Sequence, residues 1–102
     1  MYIIIAGGGV IGSHIASLLA EEGHEVVVVE VSEEVLETIR RQLDIKTIHG
    51  NAATPNILRE AGAERANLVL SVTNSDETNM VVCFMAKELG AATTAARIRN
   101  PE

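Results

Sequence analysis

The stretch YIIIAGGGVIGSHI, residues 2–15, limits the possible folds more than any other part of the chain. Residues 2–6 are all apolar and show no alternation, as expected of a strand buried on both faces of a parallel sheet. Three glycines end the run. From Val10 the apolar residues take helical spacing, with Ile11, Ile15, Leu18 and Leu19 on one face of a segment reaching Glu22. Gly23 is placed to end that helix. Residues 25–30 (EVVVVE) are a second continuous apolar run. A buried strand, a glycine turn, a helix and a second buried strand make one parallel strand–helix–strand unit.

The alternation continues to the end of the chain. Ser32 can cap a second helix, with Glu33 and Glu34 near its positive end and Val35, Leu36, Ile39 and Leu43 as its apolar face. Residues 45–48 (IKTI) read as a short third strand. Thr54 and Pro55 read as N-cap and first helical position of a third helix, closed by Gly62. Residues 67–72 (NLVLSV) are a fourth strand. Ser75 or Asp76 opens a helix running to about Leu89 and closed by Gly90. Residues 93–98 (TTAARI) make a fifth strand, although alanine is a poor strand former. This order predicts a single α/β domain over residues 1–102. Right-handed crossovers give it a doubly wound parallel sheet in the order 3-2-1-4-5, reversing between strands 1 and 4. The chain stops at RNPE, where a doubly wound nucleotide domain normally adds a helix and a strand, so a truncated domain is expected.

The glycines Gly7, Gly9 and Gly12 are spaced G-x-G-x-x-G, and Glu30 ends the second strand 18 residues after Gly12. In a strand–turn–helix context this is the dinucleotide-binding pattern. Gly7 makes the turn, Gly9 lets the backbone approach a pyrophosphate, and Gly12 lets the helix pack closely. The N–H groups at the helix start favour the anion, and the Glu30 carboxylate can accept from ribose hydroxyls. A ribose 2′-phosphate would meet that carboxylate as a like charge. Such a pair is worth about 4 kcal/mol at about 4 Å in a medium of effective dielectric about 20. Val31 and Ser32 follow Glu30, with no arginine to offset the charge. NAD(H) or another adenine nucleotide is therefore expected over NADP(H).

Composition excludes several other classes. Aromatic residues are 2% of the chain, only Tyr2 and Phe84, so base-stacking platforms are missing. The net charge is −6 and the only basic pair is Arg40–Arg41, which disfavours nucleic acid and anionic lipid surfaces. The single cysteine, Cys83, forms no disulfide framework and fits a reducing cytoplasm. No apolar run approaches the roughly 18–20 residues of a membrane span, and the N-terminus lacks the features of a signal peptide. The histidines His14, His24 and His49 have no metal-ligand spacing, so no metal site is expected.

Four stretches carry a family resemblance: IIIAGGGVIGSHIASLLAEEGHEVVVVE, IHGNAATPNILREAG, NLVLSVTNSDETNMVVCFMAKELG and ARIRNPE. With them the chain resembles the nucleotide-binding N-terminal domain of the TrkA family, TrkA-N, also called the KTN or RCK domain. The resemblance implies a Rossmann-like domain that binds NAD(H), ADP or ATP. It also implies a cytoplasmic regulatory subunit, peripheral at the inner face of the membrane, that gates a potassium transporter or channel held in the membrane as a separate protein. By position, Gly7, Gly9 and Gly12 would line the phosphates, Glu30 the ribose and Asn51 the adenine, with Val10, Ile11, Val31 and Ala52 as further cofactor-binding positions beside them. Thr73 and Asn74 would face the glycine loop across the cleft, and Arg97 and Arg99 would lie near the terminal phosphates and the subunit boundary. Two positions depart from the family pattern. Asn51 stands where an acid is usual, and its amide can still both donate and accept. Val10 stands where some relatives carry a basic residue.

Several residues admit two readings. Arg97 and Arg99, two apart on a strand, share a face; they are phosphate contacts or solvated strand-end charges. Asp76 and Glu77 read first as acids at a helix start, and Cys83 as a packing residue. His49 is the histidine nearest a ligand, beside Gly50 and Asn51. Residues 80–86 (MVVCFMA) are apolar all round, which implies burial on more than one side. Either another subunit, in a dimer or tetramer, or the absent C-terminal segment would cover them. The chain offers no Tyr-x-x-x-Lys pair and no suggestive His–Asp spacing, so a binding domain without catalytic residues is expected. The alternative is the cofactor half of an NAD-dependent oxidoreductase.

Overall fold

The N-terminal apolar run becomes the central strand of the sheet. The computed structural model describes residues 1–100; Pro101 and Glu102, the end of the ARIRNPE stretch, lie outside the described residues. Strand β1 (Tyr2–Ala6) is buried along its whole length. It pairs in parallel with β2 (Glu25–Glu30) on one side and β4 (Leu68–Ser71) on the other. The edges are β3 (Lys46–His49) and β5 (Thr93–Ala96), which gives the order β3-β2-β1-β4-β5. The helices are α1 (Val10–Glu21), α2 (Glu33–Gln42), α3 (Pro55–Ala61) and α4 (Asp76–Leu89), with a single 3-10 turn at Ala63–Arg65.

Successive residues of a strand point to opposite faces, so the central strands feed two cores. Ile3, Ile5, Val26 and Val28 pack with Ala16 of α1 and Ile39 of α2. Ile4, Ala6, Val27 and Val29 pack with Leu58 of α3 and with Val82 and Ala86 of α4. Ile3, Ile4 and Ile5 are fully buried, each contributing roughly 1.5–3 kcal/mol of transfer free energy. The arrangement is the expected doubly wound, Rossmann-like sheet.

The ends of the elements show where side chains took other partners. Ser32 and Ser75 cap α2 and α4, accepting from Val35 N–H and Thr78 N–H. Thr54 stands at the N-cap position of α3, but its hydroxyl donates to the Asn51 carbonyl and the helix has no side-chain cap. Strand β3 runs one residue later than expected, and β4 is one residue shorter at each end. Strand β5 ends at Ala96 rather than at residue 98, because the chain beyond Arg97 is drawn onto the start of α4.

Within this chain helix α4 is covered on one side, which leaves open the side where another subunit or a further segment was expected to pack. It buries one stripe, Asn79, Val82 and Ala86, while Met80, Val81 and Phe84 are 53, 45 and 69% exposed. The α3–β4–β5 face of this chain reaches only one side of the helix. Cys83 is half-buried, and burial pushes its thiol up against the opposing effect of a Thr94 hydrogen bond. Among the described residues no helix is long and apolar enough to cross a membrane.

Candidate functional site

The carboxyl ends of all five strands open into one cavity of about 560 Å³, within the ordinary range for small-molecule sites. It sits where the strand order reverses, the position at which open parallel sheets bind ligands. Its wall comes from five separate segments of the chain, brought together by the parallel sheet.

The first segment is the glycine turn. Gly7 adopts φ +106°, and an added Cβ would also press the Val72–Thr73 backbone at 2.9–3.0 Å. Gly12 is buried under the turn, where a Cβ would lie 1.9 Å from the Gly7 carbonyl oxygen. It therefore brings the start of α1 against the turn, and it is not part of the cavity wall. Gly9 does line the cavity, and a Cβ on it would meet nothing within 4 Å. That gap leaves room for another molecule to approach the main chain. Gly9 is also the N-cap of α1, and no side chain caps the helix. The N–H groups of the first turn are thus left for an outside acceptor. Val10 and Ile11 form the lip above them, 88 and 40% exposed.

Glu30 ends β2 and also lines the cavity. Its carboxylate accepts from Gly8 N–H at 2.7 Å and from Ser32 N–H at 2.8 Å, one bond on each oxygen. These bonds fix its orientation and tie the glycine turn to the neighbouring strand. Each oxygen keeps a further lone pair for a ribose hydroxyl. Val31, beside it, forms an exposed apolar rim.

Gly50, Asn51 and Ala52 follow β3 and close that end of the cavity. The Asn51 Oδ1 accepts from Ala53 N–H at 2.9 Å, so the amide braces its own loop and has its Nδ2 donors left. His49 is not in the wall. Its ring turns outward, with Nε2 2.9 Å from the Val31 carbonyl and Nδ1 3.1 Å from Glu33.

On the opposite side, Val72, Thr73, Asn74, Ser75 and Thr78 carry the wall from β4 into α4. Arg97, just past β5, completes it and is the only basic residue of the lining. Its N–H donates to the Ser71 carbonyl, while its guanidinium has no hydrogen-bond or ion-pair partner among the described residues. Arg99 does not share that face. Its guanidinium donates to the Asn74 carbonyl and its N–H to Asp76. The two arginines lie on opposite sides of the 73–76 loop because β5 ends before either of them. Asp76 is the first residue of α4, as its reading as a helix-start acid expected, and it also accepts from Arg99 and Asn100 N–H at 3.0 and 2.9 Å. Those two bonds hold its carboxyl below the ordinary value of 3.8, with the Arg99 and Arg97 charges adding to them.

The cavity therefore joins main-chain donors, one fixed carboxylate and one cation along an apolar-rimmed groove. That set can take a molecule with an apolar group at the rim, hydroxyls beside Glu30 and an anionic part over the start of α1. Sequence reasoning passed over Ser75, Thr78 and Asn79, the last buried just behind the wall. The sequence carries no signal for Asn79, which ends the polar run DETN just before the apolar residues of α4. No group of three or more possible metal ligands occurs among the described residues.

The chain is similar to known proteins in sequence and in fold. The family model for the TrkA-N domain matches residues 3–102. A Trk system potassium uptake protein TrkA homolog of Archaeoglobus fulgidus is 42% identical over 102 residues, covering the whole of this chain but only 23% of the relative. The chain thus spans under a quarter of that relative's length. Among solved structures, the Shewanella denitrificans Kef CTD in its AMP-bound form superposes with TM-score 0.77 at 24% identity, over 93% of this chain and 57% of that one. The GsuK channel bound to NAD superposes with TM-score 0.79 at 21% identity, over 92% of this chain and 17% of the channel. At these identities the structural likeness carries the fold.

Proposed function

The chain belongs to the TrkA-N domain family, and from that membership we propose that it is an adenine-nucleotide sensor of a potassium-uptake system. The observation that carries the reading is the cavity's donor set: an uncapped α1 start behind Gly9, the fixed Glu30 carboxylate and the Arg97 guanidinium in one groove. An NAD(H), ADP or ATP molecule would place its adenine between Val31 and Asn51–Ala52 and its ribose hydroxyls on Glu30. Its phosphates would lie over Gly7, Gly9, Val10 and Ile11, facing Thr73, Asn74 and Arg97. Gly12 would act beneath the turn and Arg99 at the outer, subunit-facing side of the same loop. Support comes from relatives named as Trk potassium uptake proteins and from neighbours solved with AMP and NAD.

In this reading the domain binds rather than catalyses. The titratable groups in the cavity wall are Glu30 and Arg97. Glu30 is occupied by two main-chain donors, and among the described residues no second carboxylate, thiol or imidazole lines the wall beside it. The domain would act at the cytoplasmic face of the membrane, in a homo-oligomer docked on a separate potassium transporter. Nucleotide exchange would bias the shape of that assembly.

Titration calorimetry of the purified chain with NADH, NAD, ADP, ATP and NADPH tests the reading. We expect saturable binding of at least one of the first four and rejection of NADPH. A preference for NADPH would overturn the cofactor assignment. Oxidation of a hydroxy-acid substrate at the expense of NAD would overturn the sensor assignment.

A further inference from the structure

Asn79, on α4, is 0% exposed, and its amide joins three segments of chain. Its Oδ1 accepts from Thr73 N–H at 2.8 Å, from the Thr73 hydroxyl at 2.7 Å and from the Ser71 hydroxyl at 3.0 Å. Its Nδ2 donates to the Thr73 carbonyl at 3.1 Å and to the Arg97 carbonyl at 2.9 Å. Both donor hydrogens and the acceptor oxygen are engaged. A buried amide is tolerated only when paired in this way. The other buried positions of the helix are Val82 and Ala86, so packing alone does not call for an amide here.

The partners explain the choice. Asn79 is not in the cavity wall, but Thr73 and Arg97 both are. Arg97 follows the last residue of β5, at the end of that strand's pairing with β4. Its N–H is held by the Ser71 carbonyl at 2.9 Å and its own carbonyl by Asn79. The residue is therefore clamped on both sides of its peptide backbone while its guanidinium remains free of protein partners among the described residues. A long flexible side chain recognises an anion better when less freedom is left to lose on binding.

We propose that Asn79 is a positioning residue of the nucleotide site. From behind the wall it sets Arg97 against the phosphates, using Thr73 as its anchor. The proposal rests on the nucleotide reading above. It assigns no contact between Asn79 and the ligand.

A double-mutant cycle read with ADP and NADH, and with adenosine as a phosphate-free control, tests it. Asn79→Ser removes the reach to the Arg97 carbonyl without adding charge. We expect it to weaken ADP or NADH binding by about tenfold, the scale of one charge-assisted hydrogen bond. Adenosine binding should change by less than about twofold. In an Arg97→Ala background the same change should cost less than about twofold, because residues acting as a unit are not additive. A purely structural role would weaken adenosine and ADP alike, or give additive losses with Arg97→Ala, and either result overturns the proposal. Far-ultraviolet circular dichroism checks that each variant folds. If Asn79→Ser does not fold, the wild type still decides. Its Asn79 side-chain amide signals should shift with ADP and not with adenosine, and fixed signals would sink the idea. A wild type that binds neither ADP nor NADH overturns the nucleotide reading itself, whereas normal wild-type binding with additive losses overturns only the role of Asn79.

Discussion

At Gly9 and Gly12 the same added methyl group has opposite consequences. Nothing lies within 4 Å of a Cβ on Gly9, while one on Gly12 would lie 1.9 Å from the Gly7 carbonyl. Gly9→Ala should therefore melt close to the wild type yet lose nucleotide affinity, because its methyl enters the space the phosphates need. Gly12→Ala should lose on the order of 1–3 kcal/mol of stability, as overpacking does. Thermal unfolding of each variant, paired with an ADP titration, separates the two effects; equal melting temperatures for both variants would contradict the assignment. Glu30 makes a second case. Glu30→Gln keeps an acceptor but removes the negative charge, so discrimination against NADPH should shrink, by up to about tenfold per 1.4 kcal/mol of repulsion removed. Unchanged discrimination, measured as the NADH to NADPH affinity ratio, would show that the carboxylate does not face the 2′ position. Asp76 carries the pH dependence. Its carboxyl is lower in the fold than its ordinary 3.8, so the unfolded chain binds the proton more tightly. The contribution of Asp76 is present above that ordinary value and fades as the pH falls through it toward the lowered one. A carbon-detected NMR titration of the Asp76 carboxyl should show a midpoint below 3.8; a midpoint at or above it would rule out the two amide bonds.

Among the elements, α4 ties the cavity wall to the segment that leaves β5. Its first turn walls the cavity through Ser75 and Thr78, its Asp76 holds the segment leaving β5, and its Asn79 lies behind both. The loop at residues 73–76 thus has a nucleotide-facing side and a side that grips residues 97–100. Removing the grip should loosen the exit segment without unfolding the sheet, since β5 pairs with β4 independently over Leu68–Ser71. Asp76→Ala should speed amide hydrogen exchange at Arg99 and Asn100 while leaving Ile4 and Val28 protected. Equal protection in variant and wild type would refute that role. The first turn of α1 behaves differently, since it lacks a side-chain cap where α2 and α4 each have a serine. In a helix placed at the reversal of the sheet, that missing cap matches the place where an anion would supply it.

For the molecule as a whole, Met80, Val81 and Phe84 form an exposed apolar stripe on α4, away from the cavity. Exposed contiguous apolar residues of this kind mark interaction sites. In the homo-oligomer proposed above, this stripe is where a second copy would sit. Light scattering at tens of micromolar should give at least a dimer mass for the wild type, and Phe84→Glu should shift it toward the monomer. A wild type that stays monomeric over that range would remove α4 as a contact between copies. With a net charge of −6, the oligomer should be favoured by added salt, which screens the repulsion between like-charged copies.

The period of the apolar residues was enough to give the class, the strand order and the two-sided core. Continuous apolar strands alternating with amphipathic helices leave few other ways to bury both faces of β1. The glycine spacing and Glu30 were legible for the same reason, since a turn in that local context requires those residue types. What could not be read along the chain was which side chains would be claimed by distant partners. Strand β5 stops at Ala96 because Asp76, 23 residues before Arg99, takes that arginine's N–H. That contact separates Arg97 from Arg99, which a continuous strand would have kept on one face. Asn79 follows Asp76, Glu77 and Thr78 in one polar run, and only folding brings Ser71, Thr73 and Arg97 around it. Local patterning sets elements because backbone geometry repeats over a few residues. Hydrogen bonds across the fold depend on where the strand ends meet, and that is settled only when the sheet has assembled.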